Sequence, residues 1–200
     1  MQHLYRLSLL AGLVASGGAL ANQTPPNASE LLNEKFIAET RDWLSNPIVE
    51  LSINAQNEKR GSLSQGDIDS LDKQWRAERE IDDKSLISAT LSAPLSVYLL
   101  RIQADNLGLF TEIFVMDSNG LNVGQSAITS DYWQGDEAKF QKTFPKGSNA
   151  VFIDEPEWDE DRKIWRAQLN LTLADQESNE AIGAATVEVN LTELQRRLAD

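Results

Sequence analysis

The sequence has no cysteine and a single histidine, His3. Without cysteine there is no disulfide framework and no thiolate nucleophile. With the lone histidine at the extreme N-terminus, Ser-His and Cys-His catalytic systems are excluded from the body of the chain. The commonest zinc and transition-metal sites lose their ligands for the same reason. Long apolar runs are also scarce. The only one, Leu7 to Val14, is shorter than the roughly 20 residues a membrane-spanning helix needs. Basic residues are few, 18 against 31 acidic, for a net charge of −13. Such a surface repels phosphate backbones and anionic membranes, so no nucleic-acid partner is expected. Solubility alone accounts for a charge of this size. Carboxylate-only chemistry such as glycoside hydrolysis survives these exclusions. The sequence does not set two acids across a cleft, however, and no catalytic residue, metal or cofactor is assigned.

The N-terminus itself reads as an export signal. Arg6 precedes the apolar run, and "SGGALA" follows, with Ala19 and Ala21 as the small residues of a cleavage site. Removal of residues 1–21 leaves 179 residues (200 − 21) and, with Arg6 gone, a net charge of −14. Residues 22–27, "NQTPPN", form a linker. Residues 28–200 fit a single domain with room for a core. A periplasmic or secreted location follows, with no membrane insertion after cleavage.

Apolar residues at Ile37, Leu44, Ile48, Leu51 and Ala55 keep a helical phase through Pro47. The spacing predicts one long helix from about 28 to 59, bent at the proline, with Ser29 or Asn27 as cap and Gly61 as its end. A second helix carries Ile68, Leu71 and Trp75, with Asp67 as its expected cap. A third carries Ile87, Leu91, Leu95, Tyr98 and Ile102, with a break at Ser92-Ala93-Pro94. Past Gly108 the period changes to two. "LFTEIFVMD", "SNG" and "LNVGQSA" read as a strand, a turn and a strand. "AVFID", "IWRAQLNLTL" and "AIGAATVEVNL" read as further strands, and "TELQRRL" as a closing helix. Trp165, Ala167, Leu169 and Leu171 share one strand face. Helices first and antiparallel strands second argue an α+β fold.

Between the strands, "DEPEWDEDRK" holds six carboxylates, Asp154 to Asp161. Calcium takes oxygen ligands, but the spacing departs from a calcium loop, with Arg162 and Gln168 where Gly and Glu belong. A solvated turn that guards strand edges explains the cluster. The segment "TSDYWQGDEAKF" joins the second and third strands. It either closes a pocket, with Tyr132 and Trp133 as an apolar wall with polar tips, or plugs the core with the same two rings. Asp131 would accept a hydrogen bond from a ligand amine or cap a helix starting near Gly135.

In this order the pieces "EIFVMDSNGLNVGQS", "TSDYWQGDEAKFQKTF", the acidic turn and "AIGAATVEVNLTEL" resemble the Cache, or PDC, family of extracytoplasmic sensor domains. The resemblance covers about residues 28–198, mostly through the second half. It implies a PAS-like, five- to six-stranded antiparallel sheet, a long N-terminal helix with further helices packed on the sheet, and a pocket on the sheet face. Tyr132, Trp133 and Asp131 are the implied lining. Phe114 and Trp165 are further strand candidates, and Arg166 and Arg101 are candidate partners for a ligand carboxylate. The ligand class so implied is a small molecule such as a carboxylate or amino acid. Most members of the family feed a membrane-bound transmitter, whereas this chain reads as a free-standing form that hands its state to a membrane receptor or a homodimer partner. The rival expectation is a structural protein with a filled pocket, assembling through its N-terminal helix.

Overall fold

The computed structural model describes residues 24–199. The expected export signal, 1–21, lies outside them. The helices come first: α1 (Ala28–Leu31), α2 (Glu34–Leu44), α3 (Pro47–Arg60), α4 (Gln65–Arg79), α5 (Ser85–Leu91) and α6 (Pro94–Asp105). The sheet strands are β1 (Phe110–Met116), β2 (Asn122–Gln125), β3 (Val151–Ile153), β4 (Glu157–Asp159), β5 (Ile164–Ala174) and β6 (Ala181–Asn190). A short α7 (Ala138–Gln141) lies between β2 and β3, and α8 (Leu191–Ala199) follows β6. The fold is α+β, with a six-stranded antiparallel sheet in the order β2-β1-β6-β5-β3 and β4 also pairing with β5.

The single long N-terminal helix is corrected to three. Asn33 and Asn46 each accept backbone N–H groups at a helix start, which is the chemistry of an N-cap. Pro47 therefore opens α3 at its first turn, where its missing N–H costs nothing. The break shifts the helical phase. Val49 and Ile53 are buried, while Leu51, from the expected stripe, is 65% exposed. Asn27 caps α1. Ser64, rather than Asp67, caps α4. The acidic turn is also shorter than expected, because Glu157–Asp159 pairs with Ile164–Arg166 as β4. The break before Pro94 is present, with α5 and α6 meeting at 63°.

One face of the sheet carries Ile113, Val115, Ala167, Leu169, Leu171, Ala185, Val187 and Val189. Leu44, Val49, Ile53, Leu95 and Leu99 of the helices close over it. A separate core, Ile68, Trp75, Ile87, Leu121 and Tyr132, ties α4 and α5 to the β2 end. The β1–β2 turn needs Gly120, which has φ +78° and lies against the Gly135 backbone. At Gly183 a Cβ would collide with the Met116 carbonyl, so only glycine lets β6 pass β1 at that point. Among the described residues no single helix is long and apolar enough to cross a membrane.

Candidate functional site

The second face of the sheet follows from alternation along the same strands. Three rungs run across β1, β6 and β5: Glu112, Glu188 and Gln168; Phe114, Thr186 and Asn170; Met116, Ala184 and Thr172. Gln125 extends the second rung from β2, and Asn122 the third. The connection between β2 and β3 crosses this face. Its Phe140 packs with Phe114, Met116 and Ala184, and stacks on Phe144 at 5.2 Å. The apolar end is thus covered by aromatic rings, and the carboxylate end is left to charged groups.

At that end lies a cavity of about 180 Å³ lined by Glu137, Lys139, Glu157, Arg166, Gln168 and Glu188, among others. Glu188 is 6% exposed. It accepts from Arg166 Nη1 at 3.0 and 2.9 Å and from Thr111 Oγ1 at 2.6 Å. Arg166 Nη2 reaches Glu157 at 3.4 Å, and Arg166 Nε is buried without a partner. Lys139 Nζ sits 3.0 Å from Glu137 and 3.3 Å from Gln134 Oε1, above the Phe114 ring.

Glu112 stands directly opposite Glu188 on the neighbouring strand. Like charges in that relation repel. Glu112 has no hydrogen-bond or ion-pair partner among the described residues. Burial first, and the Glu188 charge second, push its carboxyl up to about 7, against the pull of Lys139 and Arg166. The rung therefore holds one carboxylate paired directly with Arg166 and one, Glu112, that feels Arg166 and Lys139 only at a distance. On the same face the buried Asn122 Oδ1 and Gln125 Nε2 also lack partners. Unsatisfied buried polar atoms cost about 1–3 kcal/mol each.

The structure separates the seven expected site residues. Arg166 lines the cavity. Phe114 is on the same face, one rung away. Trp165, one residue from Arg166 on β5, faces the helix side and packs on the main core. Arg101 is exposed on α6. Asp131 is held by Arg76 at 3.2 Å, Ser130 at 2.8 Å and Gln134 at 2.9 Å. It does not cap α7, whose start is Ala138 behind Glu137. Tyr132 is 1% exposed, stacks on Trp75 at 5.1 Å and accepts from Arg60 at 2.8 Å. The backbone N–H groups of Tyr132 and Trp133 both donate to Asp72 of α4, and Trp133 Nε1 donates to the Asn119 carbonyl. The paired rings thus anchor the crossing segment to the helices beside the sheet.

Glu112, Glu188 and Lys139 were not singled out from the sequence. For the two glutamates the signal is present: an acid in mid-strand within "FTEIFVM" and "TVEVN", at alternating positions among apolar residues. Periodicity alone did not say which face was covered. Among the described residues no group of three or more His, Cys, Asp or Glu side chains is placed to share a metal ion. Asp159 of the acidic turn accepts instead from the N–H groups of Asp161 and Arg162.

No family model matches the sequence. No curated protein matches it either. Among solved structures, the chain is similar to the ligand-binding domain of the Campylobacter jejuni chemoreceptor Tlp3 in complex with 4-methylisoleucine, at 14% identity over 78% of this chain and 65% of that one (TM-score 0.39). It is similar also to the ligand-binding domain of the Pseudomonas aeruginosa PAO1 amino acid chemoreceptor PctC in complex with GABA, at 13% identity over 78% and 63% (TM-score 0.41). A third is the extracellular domain described as that of histidine kinase vpHK1S-Z8, at 11% identity over 84% and 55% (TM-score 0.44). The chain spans less than two thirds of the length of each of these structures. These neighbours are ligand-binding domains of chemoreceptors and an extracellular domain of a kinase, and identities this low carry no residue of their sites across to this chain.

Proposed function

We propose that this chain is an extracytoplasmic sensor domain that binds a small amine-bearing molecule, an amino acid included, on the second face of its sheet, and that a partner protein reads its state. The observation that carries the proposal is Glu112, a carboxyl without a direct partner among the described residues that stands opposite Glu188, a residue that lines the charged cavity. A ligand ammonium set against Glu112 supplies the direct contact that Lys139 and Arg166 do not make. Arg166 and Lys139, which line that cavity and act electrostatically on Glu112, are placed to meet a ligand carboxylate. The reading of residues 1–21 as an export signal supports the extracytoplasmic setting.

Lys139 belongs to α7, on the segment that crosses the face. A ligand gripped by β1 and α7 together favours one position of that segment over another, and differential affinity of this kind is all a sensor requires. The same protonation chemistry gives binding a pH dependence. Below about 7 Glu112 holds a proton, and an ammonium must displace it. Thermal-shift screening with amino acids, alkyl amines, carboxylates and purines tests the reading. Amines or amino acids are expected to raise the melting temperature of the wild type and to lose that effect in Glu112→Gln. A shift produced only by carboxylates or purines, or one preserved in the variant, rejects it.

The assembly reading has one observation in its favour. Leu51 of α3 and Val97 and Leu100 of α6 are 65%, 42% and 53% exposed, on two helices that pack together. It predicts a dimer that Leu51→Glu dissolves and a protein whose melting temperature no small molecule raises.

A further inference from the structure

On the opposite side of β5 from the carboxylate rung, the β5–β6 turn docks on the junction of α2 and α3. Gln176 Nε2 donates to the Ser45 carbonyl at 3.0 Å, and its backbone N–H donates to Glu50 at 3.3 Å. Between these elements lies a cavity of about 270 Å³. At ~30 Å³ per water, that is room for roughly nine. Leu44, Val49, Ile53, Leu173 and Ile182 supply an apolar wall.

Arg41 lines the same cavity from the last turn of α2. Its guanidinium donates to the carbonyls of Thr172 at 3.3 Å and Asn149 at 3.4 Å. Both bonds are long for N–H···O, both acceptors are neutral, and an arginine has five donors to satisfy. Among the described residues no carboxylate pairs with it. Burial accordingly pushes its pKa below the ordinary arginine value. The two acids on the cavity lining are engaged elsewhere. Glu50 accepts from the Gln176 N–H, and Asp175 from the N–H groups of Glu177 and Ser178.

We propose that this cavity is a second binding site, for a small aliphatic monocarboxylate whose head pairs with Arg41 and whose chain lies along Leu44, Val49, Ile53, Leu173 and Ile182. A planar guanidinium meets a carboxylate in a fork of two charge-assisted bonds. Glu50 and Asp175 select against a second negative charge on the ligand. The site is independent of the second face of the sheet and stands or falls separately from it.

The test is ¹H–¹⁵N NMR titration of the protein with acetate, butyrate and hexanoate, and with hexylamine as the cationic counterpart. Saturable shifts are expected with hexanoate at residues of the α2–α3 junction and the β5–β6 turn, growing from acetate to hexanoate. Arg41→Gln is expected to weaken hexanoate at least about tenfold, the loss of a charge-assisted contact. Arg41→Lys keeps the charge without the fork and is expected to fall between the two. It also guards against reading misfolding of Arg41→Gln as lost binding. No saturable shift with any of the carboxylates overturns the proposal. So does an equal response in all three proteins, or hexylamine binding there in preference to hexanoate.

Discussion

The two faces of the sheet are made by the same strands and treated in opposite ways. On one, Leu169 and Val187 are fully buried under helices among other aliphatic side chains. On the other, one residue along, Gln168 and Glu188 stand in a row with Glu112. The first face is built to exclude water, at roughly 25 cal/mol per Å² of apolar surface. The second buries polar and charged groups and satisfies only some of them, which lowers stability. Perturbed charge beside a cavity is a feature that clusters at functional sites, and it is the ground of the proposed role of this face.

This contrast can be broken by substitution. The largest effect belongs to the covered face. Leu169→Ala, in a fully buried position, is expected to cost about 2–5 kcal/mol in denaturant unfolding without altering ligand selectivity in surviving protein. On the second face the sign reverses. Raising the Glu112 carboxyl from 4.5 to about 7 corresponds to roughly 3 kcal/mol at most. The folded state holds this proton more tightly than the unfolded state, so wild-type stability falls as pH rises from about 4.5 through about 7. Glu112→Gln is expected to remove that slope and to stabilise the protein above pH 7, as read from unfolding curves across the range.

Smaller effects sharpen the comparison. Arg166→Gln leaves Glu188 buried without its cation and is expected to cost about 1–2 kcal/mol. That is below the figure for a fully buried pair, because Arg166 is partly exposed and solvent screens it. Tyr132→Phe removes only the hydroxyl that accepts from Arg60. It is expected to cost about 1 kcal/mol or less and to leave any ligand-induced melting shift unchanged, since the ring is an anchor against Trp75.

Much of this architecture was legible in the sequence where a pattern maps onto a single local rule. The change of period after Gly108, the "DSNG" turn and the shared face of Trp165, Ala167, Leu169 and Leu171 all follow from alternation and turn chemistry. The N-terminal helix misled because its apolar spacing continued across a real break. The caps at Asn33 and Asn46 decided the matter, and two asparagines among many polar residues gave a weaker signal than five apolar ones in phase. The site was harder still. Tyr132 and Trp133 drew attention as large rings between acids, yet their partners, Trp75, Asp72 and Asn119, lie 14 to 61 positions away in sequence. Glu112 and Glu188, 76 positions apart (188 − 112), become neighbours only through strand pairing.

The most direct test is NMR titration of the Glu112 carboxyl carbon in the wild type and in Glu188→Gln. A Glu112 carboxyl held opposite Glu188, without a direct partner among the described residues, predicts an ionisation midpoint near 7 in the wild type, moving down once the opposing charge is removed. A wild-type midpoint close to the ordinary 4.5 would mean that the fold already neutralises this carboxylate, and would contradict the claim that it is held for a ligand.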